Sequence, residues 1–386
     1  MTGTGGEDAI LVLNAGSSSI KCAVFGGDLT ERLGGMADGI GGEGSLKVGE
    51  VRHKARFANH EEALAALLEG LAAQGLSVES FRAAGHRVVH GGTELTRPAL
   101  VTEDVLAGIR RCVPLAPLHN PHNLAAIETL ARLAPDLPQC ASFDTGFHAS
   151  NPEVARRYAL PADIEARGIR RYGFHGLSYA SLVRSLPEVT GQALPKRLLA
   201  LHLGNGASIC AIRDGQSVAT TMGYSPLEGL TMGTRTGSID GNAVLRLAGE
   251  DGIEATHRML NKESGLWGLS GGISDMRALL EDGGDRARFA VEHFCYWAVR
   301  HSGSMIAAME GLDAVAFTGG IGENAAPIRQ RIAGGLGWLG LKLDPEANDK
   351  GHTKLHSEGS NVACWIIEAQ EERRIAADAL DLLGDG

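Results

Sequence analysis

Leu11–Val24 reads LVLNAGSSSIKCAV, and Leu199–Ile212 reads LALHLGNGASICAI. The two stretches align without a gap, 188 residues apart, with Gly204 on Gly16, Leu201 on Leu13, Cys210 on Cys22 and Ala211 on Ala23. Each is an apolar run, a turn of small and polar residues, and a second apolar run, which is the pattern of a β-hairpin. A repeat spaced at about half of 386 residues predicts two similar α/β domains, each opened by such a hairpin. Chance likeness between two apolar hairpins is the alternative. If the duplication holds, two phosphate-sized turns face each other across an interdomain cleft, a common setting for a ligand.

Around these hairpins the periodicity supplies further elements. Leu64, Leu67, Leu68 and Leu71 recur at helical spacing over 61–74, with Asn59 and Glu62 as a capping box and Gly75 as a stop. Segments 198–203 and 312–318 read as buried strands, 285–310 as a long helix, and 371–384 as an amphipathic helix. Residues 26–50 read as exposed strands and loops. Residues 222–241 show neither period, and a long stretch without structure of its own is usually functional.

Glycine is in excess: 53 of 386 residues, about twice the usual share, with no G-X-Y period. That composition suggests tight turns or backbone that must come close to a ligand. Lys and Arg number 36 against 46 Asp and Glu, and this acidic balance, without a basic run, argues against nucleic acid or an anionic membrane as partner. The opening residues MTGTGGEDAI lack the basic and apolar regions of a signal peptide, and the six cysteines form no CxxC, so a cytoplasmic protein is expected.

The motifs narrow the chemistry. No Gly-Lys pair occurs, so a Walker A loop is absent. Matches to G-x-G-x-x-[GA] at Gly39, Gly320 and Gly335 are about what this glycine content produces by chance. Thr318–Asn324 is a glycine turn between a strand and a helix, suited to phosphate or simply to a tight connection. In HRVVHGG, 86–92, Arg87 can bind a carboxylate or phosphate through two N–H groups. His86 and His90 have the spacing of a zinc pair on a helix, but Val88-Val89 and the glycines argue for a strand. In the segment from Leu118 to Asn123, Pro121 is expected to prevent a regular helix, with Asn123 as a cap; His119 and His122 are candidate ligands. Asp144, between Phe143 and Phe147, is a candidate general base, metal ligand or turn cap. Arginines on glycine-flanked loops, with carboxylates to spare for a divalent cation, suggest phosphoryl transfer.

LNAGSSSIK at 13–21, HRVVHGG at 86–92, APLHNP at 116–121, FDTGFH at 143–148, YGFHG at 172–176, HLGNGAS at 202–208, SPLEGLTMGTRTG at 225–237, SDMR at 274–277 and FTGGIGEN at 317–324 together resemble the acetate kinase family, in order and spacing. The resemblance implies an α/β fold of the acetate/sugar kinase–Hsp70–actin (ribonuclease H-like) class. Its duplicated domains would be 1–150 plus 371–386 and 151–370, around a cleft. It implies reversible transfer of a phosphoryl group from ATP to acetate, giving ADP and acetyl phosphate, with Mg²⁺ or Mn²⁺, in a homodimer.

Carried over by motif, Arg87, Asp144, His175 and Arg235 would be catalytic. Arg87, Val89, Leu118, Phe174 and Pro226 would hold acetate. Lys21, His202, Leu203, Gly204, Asn205, Gly206, Asp275, Met276, Arg277, Gly320, Ile321, Gly322, Glu323 and Asn324 would hold ATP. Asn14 and Glu371 would serve the metal, although Glu372 is adjacent. A carboxylate nucleophile is already an anion and needs no strong base; its difficulty is repulsion from the γ-phosphate, which two arginines, a histidine and the metal would relieve. Replacing Arg87 or Arg235 by Ala is expected to abolish turnover nearly completely with the fold intact.

The sequence departs from the family pattern at several places. Leu177 and Tyr179 stand where a threonine and a histidine are usual, Ser238 and Gly241 in GSIDG replace the second residue and the last of GDIDP, His122 replaces a small residue, and Ala-Ser-Asn-Pro follows His148. A propionate or other short-chain carboxylate kinase, and a non-catalytic actin-like nucleotide binder, are the competing functions at this point.

Overall fold

Two sheets are built around the two hairpins, whose strands are largely buried. The computed structural model describes residues 8–384; the expectations for the first residues, 1–7, lie outside that range. Residues up to Phe147, together with those from Gln370 onward, form one unit, and His148–Ala369 the other.

In the first unit, β1 (Ala9–Ala15) and β2 (Ser19–Phe25) are the hairpin, followed by β3 (Glu31–Asp38), β4 (Gly42–Val48), β5 (Val51–Phe57), β6 (Phe81–Val88), β7 (Ala99–Leu100) and β8 (Gln139–Phe143). The sheet order is β5-β4-β3-β2-β1-β6-β8-β7. In the second unit, β9 (Arg197–Leu203), β10 (Ala207–Arg213), β11 (Gln216–Thr220), β12 (Ala314–Thr318) and β13 (Ala363–Ile366) lie in the order β11-β10-β9-β12-β13. The five-strand core β3-β2-β1-β6-β8 repeats as β11-β10-β9-β12-β13. In both, the first strand pairs antiparallel with its hairpin partner and parallel with the strand on its other side.

The repeat is exact at the level of strands: β9 and β10 begin and end 188 residues after β1 and β2. The pairing differs by one residue. Leu13 faces Cys22, whereas Leu201 faces Ile209. The turn accounts for this. Gly16 N–H donates to Ser19 O at 2.8 Å, but Gly204 N–H donates to Gly206 O at 3.0 Å, so the second turn closes one residue sooner.

Parallel central strands are covered on both faces, which requires continuous apolar runs rather than alternation. Ile10 to Val12, Leu198 to Leu201 and Ala314 to Phe317 are all fully buried. The helix His60–Ala73 lays Leu64, Leu67 and Leu71 against the first sheet. Asn59 caps it by accepting from Glu62 N–H, and Glu62 reaches back to Ala58 N–H rather than to Asn59 itself. Gly75, at φ +86°, ends it in a conformation that an L side chain resists.

The last helix, Glu371–Leu383, returns to β1, β6 and β8. There Ile375 packs so closely on β6 that a Cβ on Gly85 would lie 2.6 Å from its Cγ2. Pro121 does not prevent a helix but starts one, Asn120–Leu133, because its missing N–H is an orphan in the first turn anyway. All six cysteines are buried and unpaired. Among the described residues, no helix is long and apolar enough to cross a membrane.

Burial pushes three histidines down to about 4: His86 on β6, His90 two residues past that strand, and His148, which opens the second unit. Their unfolded value is near 6.5. Such a depressed pKa stabilises the fold above pH 6.5, and that stability is lost as pH falls from 6.5 toward 4, by roughly 3 kcal/mol per histidine at most. Denaturant titrations at pH 7.5 and 4.5 should therefore show a smaller acid loss in His86→Asn than in the unaltered chain. Equal losses would contradict this origin of the acid sensitivity.

Candidate active site

In the first unit the polar groups gather at the carboxyl ends of neighbouring parallel strands, where open α/β sheets bind ligands. Asn14 lies near the end of β1, Arg87 near the end of β6, and Asp144 one residue past β8. The Asp144 side chain is 2% exposed and that of Arg87 is 22% exposed. Arg87 grips the carboxylate from two sides: Nη2 donates to Oδ2 at 2.7 Å, and Nε lies 3.1 and 3.2 Å from the two oxygens. Its Nη1 lies 3.4 Å from Asn14 Oδ1.

Burial pushes the Asp144 carboxyl up, and Glu371 adds to that; Arg87 and His119 pull the other way. With three guanidinium contacts on its two oxygens, Asp144 is held ionised. Burial alone would weaken the Arg87 proton, but Asp144, Glu371 and Glu372 outweigh it and raise the pKa. Glu372 itself takes Lys21 Nζ at 2.6 Å, so of the two adjacent carboxylates Glu371 is the one without that tie. Asn14 and Glu371 are hard oxygen donors, few in number, close to a fixed cation. That donor set suits Mg²⁺, which keeps several waters and leans on substrate phosphates more than on a protein cage. Among the described residues, no cluster of three or more His, Cys, Asp or Glu side chains forms a self-sufficient metal site.

The strand end carrying Val89 and His90 is clamped by two asparagines. Asn120 accepts from His90 N–H and donates to His90 O; Asn123 accepts from Val89 N–H and donates to Ala15 O. Asn123 thus ties β6 to β1 instead of capping its helix. His122 stacks on His60 at 4.9 Å, and His60 Nε2 donates to Gly16 O at 2.7 Å. Of the residues expected to hold acetate, Val89 is buried and Leu118 is 47% exposed.

In the second unit, His202 and Leu203 end β9 and lead into the Gly204–Gly206 turn. His175 caps the helix Gly176–Thr190 at φ +59°, a left-handed backbone uncommon for a non-glycine residue. Gly173 before it, at φ +79°, has no room for a side chain: a Cβ would lie 2.6 Å from His148 Cδ2. His148 Nε2 holds Phe174 O at 2.9 Å, and Phe174 is buried.

The rings of His175 and His202 stack at 4.2 Å. Each is anchored through Nδ1, His175 to Ser208 Oγ at 2.9 Å and His202 to Ser178 Oγ at 2.8 Å. A Cβ on Gly206 would lie 3.2 Å from His175 Nε2 and 3.9 Å from Arg235 Nη1, so ring and guanidinium converge on this turn. Arg235 is half-buried, which weakens its hold on the proton, and Nη1 donates to Pro226 O at 3.2 Å.

Arg235 comes from the segment between Thr220 and Gly241, which contains no helix or strand. The segment is pinned by Tyr158 and Arg171 on Glu228, and by Gly233 N–H on Asn205 O at 2.9 Å. Beside the 204–206 turn, Gly319, at φ +76°, approaches Leu203 O closely. Gly319 N–H is not bare: it donates to Glu323 Oε1, and Ala369 N–H does the same.

The sequence profile of the Acetokinase family matches residues 9–377. An acetate kinase of Rhodopseudomonas palustris is 44% identical over 98% of this chain and all of its own length. This chain belongs to the acetokinase family. An acetate kinase of Rhizobium meliloti is 42% identical, over 97% of this chain and 98% of its own. Two solved structures share the fold at a TM-score of 0.90. One is Porphyromonas gingivalis acetate kinase, 34% identical, covering 98% of this chain and 100% of that one. The other is a propionate kinase from Francisella tularensis, 35% identical, covering 96% and 98%. The duplicated α/β architecture is that of the acetate/sugar kinase–Hsp70–actin class.

Other acetokinase motif residues fall as follows. Ile321 and Glu323 are half-buried and Gly320 and Asn324 exposed, on a helix of only six residues, Gly319–Asn324. Asp275 caps the helix Met276–Asp282 through Ala278 N–H, Met276 is buried and Arg277 exposed. Sequence reasoning missed Arg329. It is 1% exposed and donates to Gly322 O, Glu323 O and Asn348, so it fixes that short helix from behind. A lone arginine in an amphipathic stretch gives no signal of this.

The Arg87–Asp144 pair corrects the expectation that Arg87→Ala leaves the fold untouched. Removing the cation strands a buried carboxylate, at a cost of about 3–5 kcal/mol. Arg87→Ala should lower the unfolding midpoint clearly, and Arg87→Ala/Asp144→Ala should recover part of the loss, with a coupling of about 0.5–3 kcal/mol. Strictly additive losses would contradict the pairing.

Proposed function

We propose that this chain catalyses reversible, Mg²⁺-dependent transfer of the γ-phosphoryl group of ATP to acetate, by direct in-line displacement, giving acetyl phosphate and ADP. The observation that supports it most is the convergence of His175 Nε2 and Arg235 Nη1 on the Gly206 turn. In a turn of this kind, donors meet an oxygen-rich anion without a side chain in the way.

The acetate carboxylate is ionised at neutral pH, so no residue has to remove a proton. Asp144 therefore works on Arg87 rather than as a base: it fixes the guanidinium plane, and Nη1 stays turned toward Asn14. In this reading Arg87 holds the acetate carboxylate, Arg235 neutralises charge on the phosphoryl group as it moves, and His175 donates a hydrogen bond to it. Val89, Leu118, Phe174 and Pro226 form the apolar contact for the methyl group. Lys21, the turn residues 202–206, Asp275 to Arg277 and Gly320 to Asn324 serve ATP. Asn14 and Glu371 would hold Mg²⁺, which when bound supplies positive charge to the phosphate oxygens. Donors fixed before the reaction cost no reorganisation during it.

We further assign a cytoplasmic homodimer. Buried, unpaired cysteines support a reducing compartment, and Tyr296, Phe289 and Trp338, each more than half exposed on the second unit, support a subunit contact there.

Hydroxylamine converts acyl phosphates to hydroxamates. With ATP, Mg²⁺ and acetate the chain should yield acetyl hydroxamate, and none from folded protein would overturn the proposal. Arg235→Ala should reduce kcat by about 10³-fold or more, as loss of an arginine from a phosphoryl-transfer site does, with an unchanged unfolding midpoint. One methylene is worth only about 1–3 kcal/mol, so kcat/KM for propionate should lie within roughly 10- to 200-fold of that for acetate. A clear preference for propionate would move the assignment to that substrate.

A further inference from the structure

Tyr179 stands four residues after His175 on the same helix, and its N–H donates to His175 O at 3.1 Å. Its side chain is fully buried, and its hydroxyl lies 2.5 Å from Ser208 Oγ. Ser208, also fully buried, is the residue that touches His175 Nδ1 at 2.9 Å. The three side chains therefore form one chain of hydrogen bonds, Tyr179 to Ser208 to His175. Nothing in the assignment of substrate-binding groups uses Tyr179 or Ser208.

The direction of the protons follows from burial. A fully buried phenol turns its O–H to an acceptor rather than leaving it unpaired. Ser208 Oγ, 2.5 Å from Tyr179 Oη, is placed to take that proton. Ser208, receiving that proton, turns its single O–H toward His175 Nδ1. Burial raises the phenol well above its ordinary value, so Tyr179 remains a donor at neutral pH.

We propose that Tyr179 is a positioning residue for the reaction: through Ser208 it keeps His175 Nδ1 an acceptor, so the neutral ring carries its proton on Nε2, the atom beside the Gly206 turn. A neutral imidazole with the opposite tautomer would present a lone pair to an anionic phosphoryl group and repel it. The stacked ring of His202 and the left-handed backbone at His175 fix the ring plane, but neither selects the tautomer. The inference rests on the role given above to His175 in phosphoryl transfer.

The test combines ¹⁵N-resolved NMR of the histidine rings with kinetics of Tyr179→Phe, which keeps the ring and removes only the hydroxyl. The unaltered chain should show His175 as the Nε2–H tautomer. Tyr179→Phe should mix the tautomers and lower kcat by roughly 10- to 100-fold, the size of effect seen when a group that orients a metal-bound histidine is removed, with KM for acetate and ATP nearly unchanged. Ser208→Ala should do the same, and adding Tyr179→Phe to Ser208→Ala should cost nothing further, because the hydroxyl would have no route to the ring.

If Tyr179→Phe is too unstable to measure, Ser208→Ala alone carries the tautomer test. An Nδ1–H tautomer in the unaltered chain, an unchanged kcat in well-folded Tyr179→Phe, or an equal loss from that substitution in the Ser208→Ala background would each overturn the proposal. Failure to form acyl phosphate in the unaltered chain is a separate result: it would remove the proposed function while leaving the tautomer measurement to stand on its own.

Discussion

A carboxylate sealed in the first unit keeps its charge because Arg87 grips both of its oxygens. The remaining polar groups of that unit are arranged around this constraint. Arg87 cannot swing while Asp144 holds it, so its other nitrogen stays directed at Asn14 on the neighbouring strand. Asn120 and Asn123 hold the backbone just beyond Arg87, and Asn123 ties the same point to the end of β1. Parallel pairing of β1, β6 and β8 brings three polar side chains from distant parts of the chain to one sheet end. The energetic cost of a buried ion pair is accepted where orientation is the gain.

The second unit furnishes the end of the same kind of sheet with different groups. Where β1 carries Asn14, the equivalent position of β9 carries His202. Two stacked imidazoles, each tied at Nδ1 by a serine, replace the arginine–carboxylate pair as the rigid element. The half-buried Arg235 supplies the positive charge, from a loop that has no periodic structure and is pinned by Glu228 and Asn205. Duplication explains the common scaffold, and divergence at its strand ends explains how the two units carry different groups.

Much of this was legible in the sequence because it is local. Hairpins, caps and the leucine stripe of the helix His60–Ala73 depend on residues within a few positions of one another, and the repeat marked the two hairpins as counterparts. The motifs named the polar residues of each unit. Their pairings were not legible, since Arg87 and Asp144 are 57 positions apart and Tyr179 and Ser208 are 29 apart. Strand register brings the first pair together, and packing of the helix Gly176–Thr190 on the second sheet brings the second. Pro121 and Asn123 were misread for a related reason: a proline in the first turn starts a helix, and an asparagine beside it found backbone partners on two other strands. Asp144 stood open between base, metal ligand and turn cap, because the arginine that pairs with it lies far outside its own stretch of sequence.

The central claim is that a carboxylate anion attacks phosphorus directly, with fixed cations doing the work that a base or a covalent enzyme intermediate would do elsewhere. The stereochemical course of transfer tests it most directly. ATP made chiral at the γ-phosphorus with oxygen isotopes is reacted with acetate, and the configuration of the acetyl phosphate is read. Direct displacement predicts inversion. Retention, the signature of two successive displacements through a phosphorylated side chain, would contradict it.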